Sequence, residues 1–373
     1  MKIHKIDTSL QSDVKKFKEF PFELYNGCDY WVPTMDSEIT LALDRNKHPF
    51  YKHSEADFFI AETEGQVIGR IGAIYNQNYN HFHKSAIGFF YYFDTVDDLE
   101  VSNTLFDTVV DWTKQHGAKY ILGPKGMLRS NGVGLLVEGF DHLPAMGNLY
   151  NYPYYQKHLE KYGFVKEYDH LTGFMDSSYY HFPEKLYQVA EKVKKRGSFW
   201  IKTFTNKAEM EKWIPVLETV HHEAFVHNPG YYPSTKEEFE LLAKLLIQVI
   251  DPRLPKLIMK DNDVAGFILP YPNINRGVQK AKGRILPFGW YHLLREQHRT
   301  RTVDINGLGL LPKYQGLGGN ALLYTELEKT ILQYNFERVE IVQVDERNFM
   351  SKSDMETLGT NWYKCHRTYR LDI

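Results

Sequence analysis

The sequence predicts an α+β fold laid down twice, each copy a mixed, mostly antiparallel sheet flanked by helices. Three observations lead there: two hairpin-like segments at one offset, two helix endings at nearly the same offset, and a helix followed by a strand between them in each half. Residues 58–62 turn through 63–65 into 66–71, and residues 256–260 turn through 261–263 into 264–269. Turn residues between β-prone runs mark both as hairpins. Their glycines, Gly69 and Gly266, stand 197 positions apart.

The helix endings come next. The polar runs 155–162 and 352–358 stop at Gly163 and Gly359, 196 positions apart, where a left-handed C-terminal residue is best served by glycine. Between hairpin and ending, 99–115 reads as a helix before a strand at 119–122, and 320–334 as a helix before a strand at 338–344. Leu105, Val109 and Trp112 have helical spacing, as do Leu323, Leu327 and Ile331. Helical segments at 10–24 and 208–224 precede the hairpins. Each half carries its own insertion, 123–147 in the first and 271–299 in the second, which accounts for the drift of the offset in between. The expected division is a first domain over 1–180, a linker helix over 181–197 and a second domain over 198–373.

Composition sets the outer limits. A chain of 373 residues and 43.8 kDa exceeds a lone small module, and 43% hydrophobic with 25% charged residues is globular. Aromatic residues are abundant, with 26 Tyr, 23 Phe and 6 Trp, many in segments 75–93, 150–155 and 231–232. Such rings are expected at the seam between the halves, lining a site for an acceptor. A net charge of −2 provides no general attraction for a polyanion, so no nucleic acid is expected. Two cysteines, Cys28 and Cys365, are too few for a disulfide framework. Residues 1–20 have no apolar signal core, and the longest apolar run, 241–250, is too short to span a bilayer. A soluble cytoplasmic chain without a membrane partner is expected.

The chemistry concentrates in one loop. A strand over 301–312 runs into Lys313-Tyr314-Gln315-Gly316-Leu317-Gly318-Gly319, and a helix follows from Asn320. Glycines before a helix let unpaired backbone N–H groups approach a phosphate, with the helix dipole favouring the anion. No Lys-Ser/Thr pair follows the glycines, which excludes a Walker A loop. No parallel βαβ unit with an acidic residue about 20 positions on surrounds them, which argues against a dinucleotide fingerprint.

Residues 310–323 resemble motif A of the GNAT acyltransferases, Arg/Gln-x-x-Gly-x-Gly/Ala. Gln315 and Gly318 match; Asn320 departs from the last position, with the small Gly319 beside it. Asn348 and Gly359 match the next element of the family, while Met355 and Thr360 replace its Tyr and Phe. The first half resembles the same fold without the loop, since its corresponding turn, 94–100, carries carboxylates in place of glycines. The whole chain is similar to bacterial proteins built from two GNAT-like halves.

The resemblance implies an N-acyltransferase, most simply an N-acetyltransferase, that uses acetyl-CoA or another acyl-CoA and a small-molecule or peptide amine acceptor. It places backbone groups of Leu308 and Leu310 against the pantetheine arm, the loop Gln315, Gly316, Leu317, Gly318, Gly319 and Asn320 around the pyrophosphate, and the Asn348 side chain on the arm. Acyl transfer to an amine needs a base and sometimes an acid for the thiolate. Asp304 is the expected base, and Asn306 shares its strand face by alternation. Tyr363 is the expected substitute for the family's Tyr acid. Two further readings stand beside this one: an acyl-CoA-binding or scaffold protein impaired in catalysis, and an aminoacyl-tRNA-dependent transferase. The pairs His81/His83 and His221/His222 lack acidic or Cys partners at ligand spacing, so no metal is expected.

Overall fold

The structure, a computed structural model, describes residues 1–176, 181–197 and 199–373. The limits 180 and 198 of the expected domains lie outside the described residues. In chain order the first elements are β1 (Lys2–Lys5), α1 (Gln11–Leu24), α2 (Asp36–Leu43), β2 (Glu55–Thr63), β3 (Gln66–Tyr75), α3 (Gln77–His83), β4 (Ile87–Thr95), α4 (Leu99–Gln115), β5 (Tyr120–Gly123), β6 (Leu135–Glu138), α5 (Tyr154–Tyr162) and β7 (Val165–Asp176). There follow α6 (Glu184–Lys195), β8 (Trp200–Lys202), α7 (Lys207–Glu211), α8 (Ile214–Phe225), α9 (Lys236–Val249), β9 (Lys256–Lys260) and β10 (Asp263–Pro272). The chain closes with α10 (Asn275–Lys280), α11 (Gly289–Arg299), β11 (Thr302–Leu310), α12 (Gly319–Gln333), β12 (Arg338–Asp345), α13 (Phe349–Thr357) and β13 (Asn361–Asp372).

Both expected hairpins form, as β2–β3 and β9–β10, and the mixed, mostly antiparallel architecture is the one expected. The helix expected over 208–224 is two helices. Pro215 sits in the first turn of α8, and a residue without an N–H cannot continue a helix arriving from α7. The long strands β7 and β13 had no counterpart in the sequence reading.

The described residues form two compact units, neither continuous in sequence. The first holds Met1–His170, Asn275–Arg295 and Lys364–Ile373; the second holds Leu171–Ile274 and Glu296–Tyr363. In the first unit the sheet runs β1-β2-β3-β4-β5, with β5 bordered by residues 369–372 of β13. Its pairs are antiparallel except β4–β5, which is parallel. Helix α4 lays Leu105, Phe106, Val109 and Trp112 on this sheet, one apolar stripe at helical spacing. Phe106 is fully buried among Phe90, Phe93 and Phe164. Truncating such a ring to Ala costs ~3–5 kcal/mol.

The second unit repeats the plan as β8-β9-β10-β11-β12, antiparallel except the parallel pair β11–β12. Helix α12 supplies Leu322, Leu323, Leu327 and Ile331 to a core shared with Ile258, Ile268, Val303 and Ile341. Several rings of the aromatic segments are buried. Tyr155 and Tyr232 are buried, and the Tyr152 and Tyr154 hydroxyls donate to the carbonyls of Leu24 and Thr95 within the first unit.

His366 in the first unit is fully buried, its Nε2 2.9 Å from the Leu149 carbonyl and its Nδ1 without a partner. Burial pushes its pKa down from 6.5 to about 4. As pH falls the unfolded chain therefore takes up this proton first. The contribution to stability is complete above pH 6.5 and is lost as pH falls towards about 4. Thermal unfolding of the wild type and of His366→Gln, which keeps a donor to Leu149, followed at neutral and mildly acidic pH, should show a smaller acid loss of Tm in the variant. An identical loss in both would remove His366 as its source.

Candidate active site

The site of interest begins where a ladder stops. β11 pairs with β12 from Thr302 opposite Arg338 to Ile305 opposite Ile341, yet β11 continues to Leu310 and β12 to Asp345. The two strands part into a V. Gln343, with φ of 51°, turns its N–H to Thr172 Oγ1 at 3.2 Å, drawing β12 away. The other edge of β11 stays joined to β10, with Leu308, Gly309 and Leu310 opposite Ile268, Phe267 and Gly266. The bond from Leu311 N–H to the Ala265 carbonyl sets the phase of that ladder. Gly309 and Phe267 are then the hydrogen-bonded pair, and the N–H and C=O of Leu308 and Leu310 point into the V. Gln315 Nε2 donates to the Leu310 carbonyl at 3.1 Å.

From Leu310 the chain passes through a 3-10 turn, Pro312–Tyr314, into the glycine loop and α12. Gly316 has φ of 73° and Gly318, the residue before α12, φ of 85°. A Cβ on Gly318 would stand 2.8 and 2.9 Å from the side chains of Val193 and Val189 on α6, so both conformation and space require glycine there. No side chain caps α12. The N–H groups of its first turn lack helical partners and lie at the positive end of its dipole, next to an exposed loop. Asn320 Nδ2 donates to Asp354 at 3.2 Å, while its Oδ1 is buried without a partner. One turn on, the buried Tyr324 hydroxyl also has none. Burial raises the pKa of both Asp354 and Tyr324.

A second set of groups stands on the other face of the sheet. Val303, Ile305, Val339 and Ile341 pack with α12, so Asp304 and its register partner Glu340 project from the opposite side. Asp304 is fully buried, and Asn273 Nδ2 donates to its two carboxylate oxygens at 3.2 and 3.0 Å. Tyr271 lies opposite Asp304 across β10–β11, and its hydroxyl engages the exposed Asn306 side chain. Burial, then the Asp304 charge, pushes the Tyr271 pKa up. The Tyr363 hydroxyl donates to Glu340 Oε2 at 2.8 Å, and Arg338 Nε donates to Oε1 at 2.5 Å. The Arg338 guanidinium covers the Phe174 and Tyr363 rings at 3.7 and 5.1 Å. Burial and the Glu340 charge hold the Tyr363 pKa above its ordinary value.

The expected residues thus fall into three places. Leu308, Leu310, Gln315, Gly316, Leu317, Gly318, Gly319 and Asn320 are consecutive along the V and its loop. Asp304 and Asn306 meet through Tyr271, and Tyr363 reaches the same face through Glu340. Asn348 caps α13, its Oδ1 accepting from Ser351 N–H at 3.2 Å, and Met355 is buried in the core. Tyr271, Asn273, Arg338 and Glu340 escaped the sequence reading. The first two lie at the start of a segment read as an insertion, and the Asp304–Glu340 register follows from strand pairing alone. His221 stacks on Phe267, and His222 Nδ1 is 2.9 Å from the Tyr231 hydroxyl. Among the described residues no three His, Cys, Asp or Glu side chains are placed to hold a metal ion.

The first unit answers the same geometry with its own side chains. Pairing of β4 with β5 covers Ile87 to Phe89, and β4 continues to Thr95. Thr95 lies opposite Gly69 as Leu310 lies opposite Gly266. Its N–H donates to the Tyr155 hydroxyl at 2.9 Å and its carbonyl accepts from Tyr154 at 2.7 Å. Asp98 caps α4 by accepting from Glu100 N–H, and His158 sits between Ser102 and Asp97 at 2.6 and 3.0 Å.

No family model matches the chain. It is 27% identical to the protein YghO of Escherichia coli over 374 residues, 97% of this chain and 94% of that one. It is 29% identical to a bacterial ceramide synthase of Caulobacter vibrioides over 373 residues, 98% of this chain and 96% of the relative. Among solved structures, a tandem GNAT protein from the clavulanic acid biosynthesis pathway aligns over 100% of this chain and 98% of its own, with 10% identity and a TM-score of 0.58. With parallel strands that part beside a following helix in both halves, and a glycine loop in the second, the chain carries the GNAT acyltransferase fold in tandem.

Proposed function

We propose that the second unit binds an acyl-CoA and transfers its acyl group to the amine of a long-chain amino alcohol, forming an amide. The observation that carries this reading is the V itself, with the Leu308 and Leu310 backbone groups turned into it and leading directly to the uncapped start of α12. The acceptor class rests on the relative named as a ceramide synthase, which matches nearly the whole chain, since a ceramide is an amide of a long-chain amino alcohol.

When bound, acyl-CoA supplies an activated thioester whose carbon–sulfur bond breaks as the carbon–nitrogen bond forms. The chain's own groups do the rest. Leu308 N–H and C=O pair with the amide groups of the pantetheine arm as a missing strand would. The N–H groups of residues 316–320 and the α12 dipole hold the pyrophosphate. Asp304, whose two carboxylate oxygens Asn273 Nδ2 contacts, receives the amine proton directly or through a water. Tyr363 serves Glu340. A phenol with a raised pKa is a poor proton donor to a thiolate whose conjugate thiol has a pKa of about 8.5, so the sulfur departs as the thiolate and takes its proton from water.

The absence of a Tyr at Met355 favours one other reading, an acyl-CoA-binding protein without transferase activity. Titration calorimetry with CoA and palmitoyl-CoA should show binding by the wild type and a loss of at least about tenfold in Gly318→Asp, which puts a carboxylate in the anion seat. No binding by the wild type would end the assignment.

Release of free thiol from palmitoyl-CoA or acetyl-CoA in the presence of sphinganine, glucosamine or a peptide amine tests the transfer. Amide should form with sphinganine and the long-chain donor, and Asp304→Asn should lower kcat by about 10²–10⁴-fold with CoA affinity unchanged. Binding of CoA with no acylation of any amine would establish the binding protein instead.

A further inference from the structure

The segment Asn275–Arg295 belongs to the first unit and has an unusual surface. Leu286 is 76% exposed and Phe288 73%, and Ile285, Trp290, Tyr291 and Leu294 are exposed beside them. Six large apolar side chains thus face solvent within ten consecutive residues. Scattered exposed hydrophobics are ordinary; a contiguous group of this kind marks a surface that meets something apolar.

The same segment is basic throughout. Arg276, Lys280, Lys282, Arg284 and Arg295 are all exposed, and residues 275–295 contain no Asp or Glu. This is a sharp local departure in a chain whose net charge is −2. Arg284 pairs with Glu19 at 3.8 Å, an exposed pair of little energetic weight.

The apolar side chains are presented by a rigid base. Asn275 Nδ2 donates to the Pro144 carbonyl, and Gln279 Nε2 donates to the carbonyls of Asp29 and Trp31. Val278 and Ala281 are buried beneath, and the Gly283 carbonyl accepts from Asp36 N–H. Above this base the chain folds back tightly: Trp290 N–H reaches the Ile285 carbonyl at 2.8 Å, and a Cβ on Gly289 would lie 1.6 Å from the Arg284 carbonyl oxygen. The turn thereby thrusts Leu286 and Phe288 outward. On α11, Trp290 and Leu294 are one turn apart and share a face.

We propose that this segment docks the protein on the surface of an anionic lipid bilayer. Aromatic and aliphatic side chains flanked by Lys and Arg are the composition of interfacial segments, in which rings enter the headgroup boundary while basic side chains meet lipid phosphates. Charge complementarity commits the surface to an anionic membrane: five basic residues and no acid attract negative headgroups, at about fivefold in affinity for each residue close to the surface. A neutral apolar partner would have no use for that fringe. No described helix is long and apolar enough to cross a membrane. The docking surface stands independently of acyl transfer in the second unit.

Vesicle co-sedimentation of the full chain decides the matter without reference to activity. The wild type should sediment with phosphatidylcholine vesicles containing phosphatidylglycerol at physiological salt, bind pure phosphatidylcholine at least about tenfold more weakly, and be released by high salt. The double variant Leu286→Asp/Phe288→Asp should lose at least about tenfold in binding, as should the charge variant Lys280→Ala/Lys282→Ala/Arg295→Ala. Unchanged thermal unfolding and CoA affinity check that both variants fold. Brominated lipid should quench tryptophan fluorescence in the wild type and less so in Trp290→Phe. The proposal is overturned if the wild type fails to sediment with anionic vesicles or if the Asp variant binds as well as the wild type. It is equally overturned if gel filtration shows a dimer of the wild type that Leu286→Asp/Phe288→Asp dissociates, since a second copy would then cover the patch.

Discussion

The end of the β11–β12 ladder after Ile305 and Ile341 is the constraint on which the second unit turns. Backbone N–H and C=O groups inside a protein must find partners, and two strands that separate leave theirs facing a gap. Here β10 keeps one edge of β11 satisfied, Thr172 takes the Gln343 N–H, and Gln315 takes the Leu310 carbonyl. Among the described residues this leaves the β12-facing edge of β11 beyond Ile305 without a strand partner and the first turn of α12 without a side-chain cap. The opening beside the glycine loop is defined by that remainder.

The first unit has the same opening and closes it. Thr95 has the place of Leu310, and two tyrosines from α5 occupy its backbone donor and acceptor. Asp98 occupies the start of α4. Each contact is small, yet together they close the corner with the chain's own groups. The aromatic richness of the chain is explained in part by this, since Tyr25, Tyr152 and Tyr155 form a connected cluster around the closed corner. Buried phenols keep their protons there, because burial raises the pKa of Tyr25 and Tyr155.

Much of this was legible in the residues. The hairpins β2–β3 and β9–β10, the helices α4 and α12 and the glycine loop each have a local signal: turn residues between β-prone runs, an apolar stripe at helical spacing, glycines at a helix start. β7 and β13 were not legible. Their charged and histidine residues, such as Lys166, Glu167 and Asp169 or Lys364, His366 and Arg367, hide the alternation that marks a strand, and some of them are buried in ion pairs such as Arg367–Asp169. Strand alternation placed Asp304 and Asn306 on one face. That Asp304 is buried against Asn273 while Asn306 is exposed depends on a residue just past β10, 31 positions away along the chain.

By itself the sequence determined that the chain holds two copies of one plan, where the hairpin and the long helix of each copy lie, and which of the two has a glycine loop before that helix. Those properties are local: a periodicity, a turn or a glycine is complete within a few residues. Only the tertiary structure decided that the strands part after Ile305, that Asp304 stands beside Glu340, that tyrosines close the first opening, and that residues 285–294 face solvent above a fixed base. Each of these depends on which distant backbone groups find one another, and pairing at that range is set by the register of whole sheets.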